Sequence, residues 1–323
     1  MTDMTDTLND IDNPDILALR PRLEDEDPGV RRIALIELAD LEEPDGLLWL
    51  VDRLRADPSI EVRTEAARLL EAWEEVKVVQ VLCEALTDPA HAVKDAAAQS
   101  LSVLKTQEAG EVILPWAAHA NATVRIAAFR ALRELRLPAA APAAVIALND
   151  EDASVRREAV GVLGWLKQTE ALDALARLAS EDPDTDVRRA ATGALGLAID
   201  ARVLPALRLA LQDAAWQVRE EAATTLGKVG HDDAGPALIA ALGDDYWQVR
   251  LRATRSLGRL RYVQALPGLI ETLGHSISNL RKEAALALGE LGDKAALAAL
   301  QTAQNDGDPE VRKAVRIALS QLQ

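Results

Sequence analysis

Aspartate and arginine recur along this chain at a spacing that could support ionic chemistry. A basic residue returns ten times, 31 or 32 residues apart, and eight of the ten are preceded by an aspartate six positions earlier. The basic residues are Arg31, Arg63, Lys94, Arg125, Arg156, Arg188, Arg219, Arg250, Arg281 and Arg312. The aspartates are Asp25, Asp57, Asp88, Asp150, Asp182, Asp213, Asp244 and Asp306. Such carboxylates could serve acid–base catalysis, cap a helix, or pair with an arginine of their own or the next unit. We favour the structural ladder over catalysis.

His119 and His275 take the place of aspartate in the fourth and ninth units. Each could mark a pH-sensitive or ligand-binding site, or could be a tolerated loop residue, which we favour. They stand five units apart, so they cannot share one metal ion in a regular array. The sequence holds no paired histidine or cysteine spacing typical of a metal site, and its one cysteine, Cys83, lies in an apolar run typical of a buried residue.

The elements that position these residues repeat with the same period of about 31 residues. A leucine stands seven residues after each of the ten basic residues, and a glycine stands eight after five of them: Gly164, Gly196, Gly227, Gly258 and Gly289. A fixed period in this range predicts an all-α fold, an α-solenoid of ten helix pairs in a right-handed superhelix. We expect one solenoid domain over residues 14–323, preceded by an acidic flexible tail over residues 1–13. The glycines indicate close backbone contact or a helix end.

Composition limits the partners. Lys plus Arg is 36 and Asp plus Glu is 52, which gives a net charge of −16. An acidic protein is a poor match for nucleic acid and for anionic membrane surfaces. The polar N-terminus does not resemble a signal peptide, and no apolar run is long enough to span a bilayer, so we expect a cytoplasmic protein, a monomer by default.

The repeat motif resembles a known family. Asp-x-x-Trp-x-Val-Arg-x-x-Ala-x-x-x-Leu-Gly, at residues 213–227 and 244–258, is similar to the HEAT repeats of the phycobilisome-lyase type. The resemblance implies helix pairs, and relatives that are either bilin lyases or protein-binding scaffolds. It extends to deoxyhypusine hydroxylase, whose iron is held by His–Glu pairs, but no histidine here is followed by glutamate.

A partner surface is predicted on the second helices, which in such arrays line the concave face. Residues one or two, five and nine places after the repeat arginine form one stripe there. Its candidate binding residues are Arg130, Arg157, Gly161, Trp165, Arg189, Gly193, Arg252, Arg255 and Arg259. Two glycines beside an indole predict a hollow, and the arginines suit acidic or aromatic groups. Alternatively, the arginines pair with local glutamates such as Glu158 and Glu221, and the glycines reflect packing.

Trp216, Tyr246 and Trp247 form a second candidate patch. Both tryptophans stand three residues before a repeat arginine, where packing at the helix entrance is the favoured role and ligand contact the alternative.

Taken together, the sequence predicts a scaffold or assembly chaperone, without a cofactor, that binds another protein, through an acidic segment of that partner for example. A bilin-lyase-like or cofactor-attachment enzyme is the alternative, and an oxidoreductase like deoxyhypusine hydroxylase ranks third. The residues favour a non-enzymatic role, because they hold no catalytic constellation.

Overall fold

The computed structural model describes Leu8 and residues 11–197 and 201–322, and every regular element in that part of the chain is helical. Twenty α-helices are described there, and they alternate as the first and second members of ten pairs. The first helices are α1 (Pro14–Leu23), α3 (Gly46–Ala56), α5 (Val76–Ala85), α7 (Gln107–Ile113), α9 (Ala141–Ala147), α11 (Leu172–Glu181), α13 (Leu204–Ala210), α15 (Gly235–Ala241), α17 (Leu266–Leu273) and α19 (Leu297–Ala303).

The second helices carry the repeat basic residues. They are α2 (Pro28–Asp40), α4 (Ile60–Leu69), α6 (His91–Ser102), α8 (Ala122–Leu135), α10 (Ala153–Trp165), α12 (Thr185–Leu195), α14 (Trp216–Val229), α16 (Trp247–Leu260), α18 (Ser278–Leu291) and α20 (Pro309–Gln321). The predicted all-α solenoid of ten helix pairs is therefore confirmed for the described residues.

The chain divides into two compact units, Met1–Val162 and Leu163–Gln323. Within each unit, successive second helices pack side by side: α2, α4, α6 and α8 in the first, and α12, α14, α16, α18 and α20 in the second. Most of the predicted tail, residues 1–7 and 9–10, lies outside the described residues, whereas Leu8 and Ile11 are buried. None of the helices in the described ranges has the length and apolar character needed to cross a membrane.

The first helices begin where the sequence places proline. Pro205, Pro236 and Pro267 each occupy the first turn of α13, α15 and α17, where no amide donor is required. A single 3-10 turn leads into these helices, for example Ala201–Val203 before α13.

The repeated glycines lie where neighbouring second helices are in close contact. A Cβ built on Gly258 of α16 would stand 2.7 Å from the Cα of Ala287 in α18, and one on Gly196 would stand 2.7 Å from Cγ2 of Thr225 in α14. Real Cβ atoms do not approach so closely, so only glycine allows this spacing. The sequence left two explanations for the repeated glycines, close backbone contact or a helix end. Close contact is confirmed at these positions.

Candidate functional site

The repeat arginines and aspartates form a ladder that joins neighbouring helix pairs at six places within the two units. Arg219 donates from Nε to Oδ2 of Asp244 at 2.7 Å and from Nη2 to Oδ1 at 3.0 Å. Its Nη1 donates to the carbonyl of Asp213, six residues earlier, at 2.8 Å. We call one such arginine and the aspartate 25 or 26 residues later a rung. The described rungs within each unit are Arg31–Asp57, Arg63–Asp88, Arg125–Asp150, Arg188–Asp213, Arg219–Asp244 and Arg281–Asp306.

Each ladder aspartate also shapes the loop ahead of the next helix. Oδ1 of Asp213 accepts the amide of Ala215 at 2.8 Å, and Ala215 is the residue that immediately precedes α14. The aspartate therefore stands too early to cap the helix itself. Capping falls to residues two places later, such as Asp184, which accepts the amides of Asp186 and Val187.

The rungs hold their carboxylates in the charged form. Burial tends to raise the pKa of Asp213, but the hydrogen bonds from Arg188 and from the Ala215 amide outweigh it and leave the pKa below its ordinary value. The same balance lowers the pKa of Asp244 beside Arg219. A carboxylate that is bonded on both oxygens and kept ionised serves poorly as a proton donor, which agrees with the structural interpretation of the ladder.

His119 and His275 reproduce one function of the aspartates. Nδ1 of His119 accepts the amide of Asn121 at 3.1 Å, and Nδ1 of His275 accepts the amide of Ile277 at 3.0 Å. An imidazole thus keeps the loop geometry, but it brings no carboxylate to the preceding basic residue, which is Lys94 in one case and Arg250 in the other.

In the first unit, the predicted stripe is a cluster centred on a buried glutamate. Glu158 is 4% exposed, and Arg133 donates from Nη1 to its Oε2 at 2.8 Å. Arg130 and Arg157 approach Oε1 of Glu158 to 3.4 and 3.8 Å. A Cβ on Gly161 would lie 3.0 Å from Cδ of Arg133, so that side chain covers the glycine.

In the second unit, the glycine is covered as well. A Cβ on Gly193 would stand 3.0 Å from Oε1 of Glu221. Neither Gly161 in the first unit nor Gly193 in the second lies beside the open space that the predicted hollow requires, because each missing side chain makes room for a long charged side chain from a neighbouring helix. The packing alternative describes both glycines.

Arg133 is the residue that sequence reasoning missed. It occupies the position eight residues after the repeat arginine, where the next five repeats have glycine. Comparing the repeats position by position would have shown a long side chain where the next five repeats have none. That signal, combined with Gly161 in the next repeat, indicates where the Arg133 side chain lies.

Two further stripe arginines of the second unit are also paired. Arg252 donates from Nε to Oε1 of Glu220 at 2.9 Å. Arg255 forms a bidentate pair with Glu283, Nε to Oε1 at 2.7 Å and Nη2 to Oε2 at 2.8 Å. The alternative that stripe arginines pair with local glutamates thus describes these two, although the pairs use Glu220 and Glu283 rather than Glu221.

The remaining stripe residues are exposed. Trp165, at the end of α10, is 53% exposed, and Leu197 is 38% exposed. Arg189 and Arg259 are exposed. A Cβ on Gly164 would stand 3.1 Å from Cδ1 of Leu197, which places that leucine beside the residue preceding Trp165.

The second candidate patch is a stack of rings over a rung. Trp216 and Tyr246 stack with centroids 5.5 Å apart and an interplanar angle of 13°. The guanidinium of Arg219 lies 5.6 Å from the centre of the Tyr246 ring. Trp247 opens α16 and is 36% exposed. Trp216 and Tyr246 therefore join two helix pairs, while Trp247 is available to solvent.

Other reactive groups contribute little to a site. Cys83 is buried, and burial, with a smaller effect from the Glu84 charge, raises the pKa of its thiol to about 12. Within the described ranges, no group of three or more His, Cys, Asp or Glu side chains is arranged to hold a metal ion.

Comparisons with known proteins agree with this geometry. A family model described as HEAT repeats matches residues 5–71, 47–118, 110–196, 178–247 and 235–320. Among solved structures, Escherichia coli YibA has 22% identity and a TM-score of 0.61, and the match covers 83% of this chain and 98% of YibA. No curated protein matches the sequence.

Two larger proteins share the fold over part of their length. Kap95p, in a structure with RanGDP, has 14% identity and a TM-score of 0.64, with 99% of this chain and 56% of Kap95p covered. Importin beta has 15% identity and a TM-score of 0.65, with 95% and 50% covered. At these identities, the likeness shows the fold alone.

Proposed function

Because this chain belongs to the family of HEAT repeats, we propose that it is a scaffold that holds a partner protein on the face formed by its second helices. A solenoid presents a long row of equivalent helices, which is a surface suited to another macromolecule rather than to a small molecule. Binding of Kap95p, which shares this fold, induces the switch loops of RanGDP to adopt the GTP-bound conformation. Assembly or maturation of a partner in the cytoplasm is the role that we propose for this scaffold.

One observation supports the proposal most directly: the exposed residues at the ends of the second helices. Trp165, Leu197, Lys228 and Arg259 stand nine residues after successive repeat arginines and are all exposed. We call these four residues the exposed band. A half-exposed tryptophan beside a partly exposed leucine exposes apolar area that a folded protein usually covers, and tryptophan and arginine are enriched at interface hot spots.

Charge favours an acidic segment as the binding element of the partner. The band contains two cations, and Arg189 adds a third on the second-helix face. Exposed cations attract a carboxylate-rich segment and increase its rate of association, although the chain as a whole is acidic.

The test compares capture of a partner by the wild type and by a double variant, Trp165→Ala with Arg259→Glu. Removing the indole and reversing one charge should weaken binding by at least about tenfold, the effect of a loss of about 1.4 kcal/mol. The matched control is Ile146→Ala, which removes an apolar side chain that is 76% exposed on the first helix α9. The partner is identified from native lysate by the wild type and then measured in purified form. If the purified partner binds the double variant and the control with equal affinity, the second-helix face is not its binding site.

The lyase subtype is the alternative, and the motif Asp-x-x-Trp-x-Val-Arg in the seventh and eighth units supports it. A protein that handles tetrapyrroles should bind bilin with a change in visible absorbance. A titration with bilin distinguishes this role from that of a scaffold.

A further inference from the structure

The ladder is interrupted at one place where its arginine is retained. Arg219 and Arg281 each bind the two oxygens of an aspartate 25 residues later. By the same spacing, Arg250 should meet a carboxylate at position 275, where the chain has His275. The packing of α14, α16 and α18 continues through this point, so the rung has lost its acid and not its neighbours.

Arg250 keeps a polar atom that the fold does not satisfy. Its Nε is buried and has no hydrogen-bond partner among the described residues. The nearby Asp244 is not free to serve, because its oxygens accept from Arg219 and from the amide of Tyr246. Arg125 also has a buried Nε without a partner, but its Nη2 reaches Oδ1 of Asp150 at 2.7 Å, so that rung is closed.

His275 cannot replace the lost acceptor. Its Nδ1 accepts the amide of Ile277, which leaves the other ring nitrogen as an N–H donor in the neutral imidazole. Arg250 and His275 therefore both offer donors, and an unsatisfied buried donor costs free energy. At the other interrupted rung, the basic residue is Lys94, which lacks the planar fork of a guanidinium.

We propose that Arg250 and His275 form a binding site for a carboxylate supplied by a ligand. The two adjacent rungs show how a carboxylate is held here, bidentate on Nε and Nη2 at 2.7 to 3.0 Å. Arg250 itself is partly exposed, and Trp247, three residues before it at the start of α16, is 36% exposed and offers apolar surface to the rest of the ligand.

This site does not depend on the scaffold function. The exposed band lies at the C-terminal ends of the second helices, whereas Arg250 lies in the first turn of α16. An acidic side chain of a protein partner and a small free carboxylate have the same chemistry at the site.

The test follows the Nε–Hε NMR signal of Arg250 in the full chain, assigned with Arg250→Lys. Sodium acetate should shift this signal along a saturable curve, while sodium chloride at equal ionic strength should not. His275→Asp restores the carboxylate of the ladder and should abolish the response, with the Arg250 signal already near those of Arg219 and Arg281. His119→Asp, the same substitution at the other interrupted rung, should leave the response unchanged.

Two outcomes would overturn the proposal: an acetate response no larger than that of chloride, or a response that persists in His275→Asp. Melting curves establish that both variants are folded. A capped tripeptide with one central glutamate then separates the sources. Saturation at about tenfold lower concentration than acetate indicates a protein ligand, because its backbone adds contacts, and equal concentrations indicate a small carboxylate.

Discussion

An arginine that forms a rung binds acceptors from two successive helix pairs. Arg188 donates to the carbonyl of Asp182 in its own loop and to both oxygens of Asp213 in the next. The guanidinium is mostly shielded from solvent, with its side chain 14% exposed and that of Asp213 9% exposed. A charge-assisted pair in such a setting contributes more than a surface salt bridge, and removing one partner leaves the other charge unpaired.

At the residue scale, we expect Asp244→Ala to lower the free energy of unfolding by about 2 kcal/mol, since it removes two bonds from Arg219 and one from the amide of Tyr246. Asp245→Ala is the control, because Asp245 is the exposed neighbour and takes no part in a rung. Urea unfolding followed by circular dichroism measures both. Equal stability of the two variants would contradict the ladder's stabilising role.

At the element scale, α14, α16 and α18 pack closely because small residues occupy the positions where these helices meet. Gly258 admits Ala287 of the next helix, and Gly227 faces Ser256 in the same way. The hydroxyl of Ser256 donates to the carbonyl of Ala223 at 2.7 Å, so this contact satisfies a polar group as well as filling space. These positions therefore set the distance between α14, α16 and α18.

We expect Gly258→Ala to destabilise the protein by about 1 to 3 kcal/mol, as overpacking does, although alanine is the better helix former. The new Cβ would meet the backbone of Ala287, which cannot move without its helix. Gly161→Ala is the matched comparison. Its Cβ would meet only the flexible side chain of Arg133, so we expect a change within about 1 kcal/mol of the wild type. Thermal melts should show a lower melting temperature for Gly258→Ala than for Gly161→Ala, and the reverse order would contradict the packing argument.

The fold could be predicted from the sequence because one sequence repeat occurs ten times, and each copy carries the same pattern of leucine and basic residues. The stripe could not, because its pairs join residues that share no repeat position. Arg133 and Gly161 stand eight and five residues after their repeat arginines, and Glu158 stands two after its own. Which long side chain covers which glycine depends on distances between helices that periodicity alone does not give. Trp165 is exposed at the end of α10, and its part in binding a partner stays a prediction.

At the scale of the whole molecule, the ladder couples stability to pH. Ladder aspartates such as Asp57, Asp88 and Asp306 have pKa values below their ordinary value. Burial is the largest single effect for Asp57 and Asp88 and opposes ionisation, whereas the bond from Arg281 is the largest for Asp306 and favours it. The net lowering means that the folded state binds protons less readily than the unfolded chain.

The direction in which stability changes with pH follows from that difference. The stabilisation is present in full above the unfolded aspartate pKa of about 3.9, and it is lost as pH falls through the lower folded values. We therefore expect the contribution of the carboxylates to the free energy of unfolding, measured in urea, to change little between about pH 7 and 5. It should fall steeply below about pH 4. Loss of the negative charges also leaves 36 Lys and Arg and 4 His uncompensated, and their repulsion acts in the same direction.

Asp244→Asn separates the two effects, because it removes one titrating rung and leaves the other carboxylates in place. Its stability at pH 7 should be lower than that of the wild type, and the difference should shrink towards pH 3 as the wild-type rung is protonated. Added salt screens the general repulsion in both proteins alike and should not alter that convergence. A difference that stays constant from pH 7 to 3 would show that Asp244 stabilises the fold without its charge, and the ladder would then act through hydrogen bonding alone.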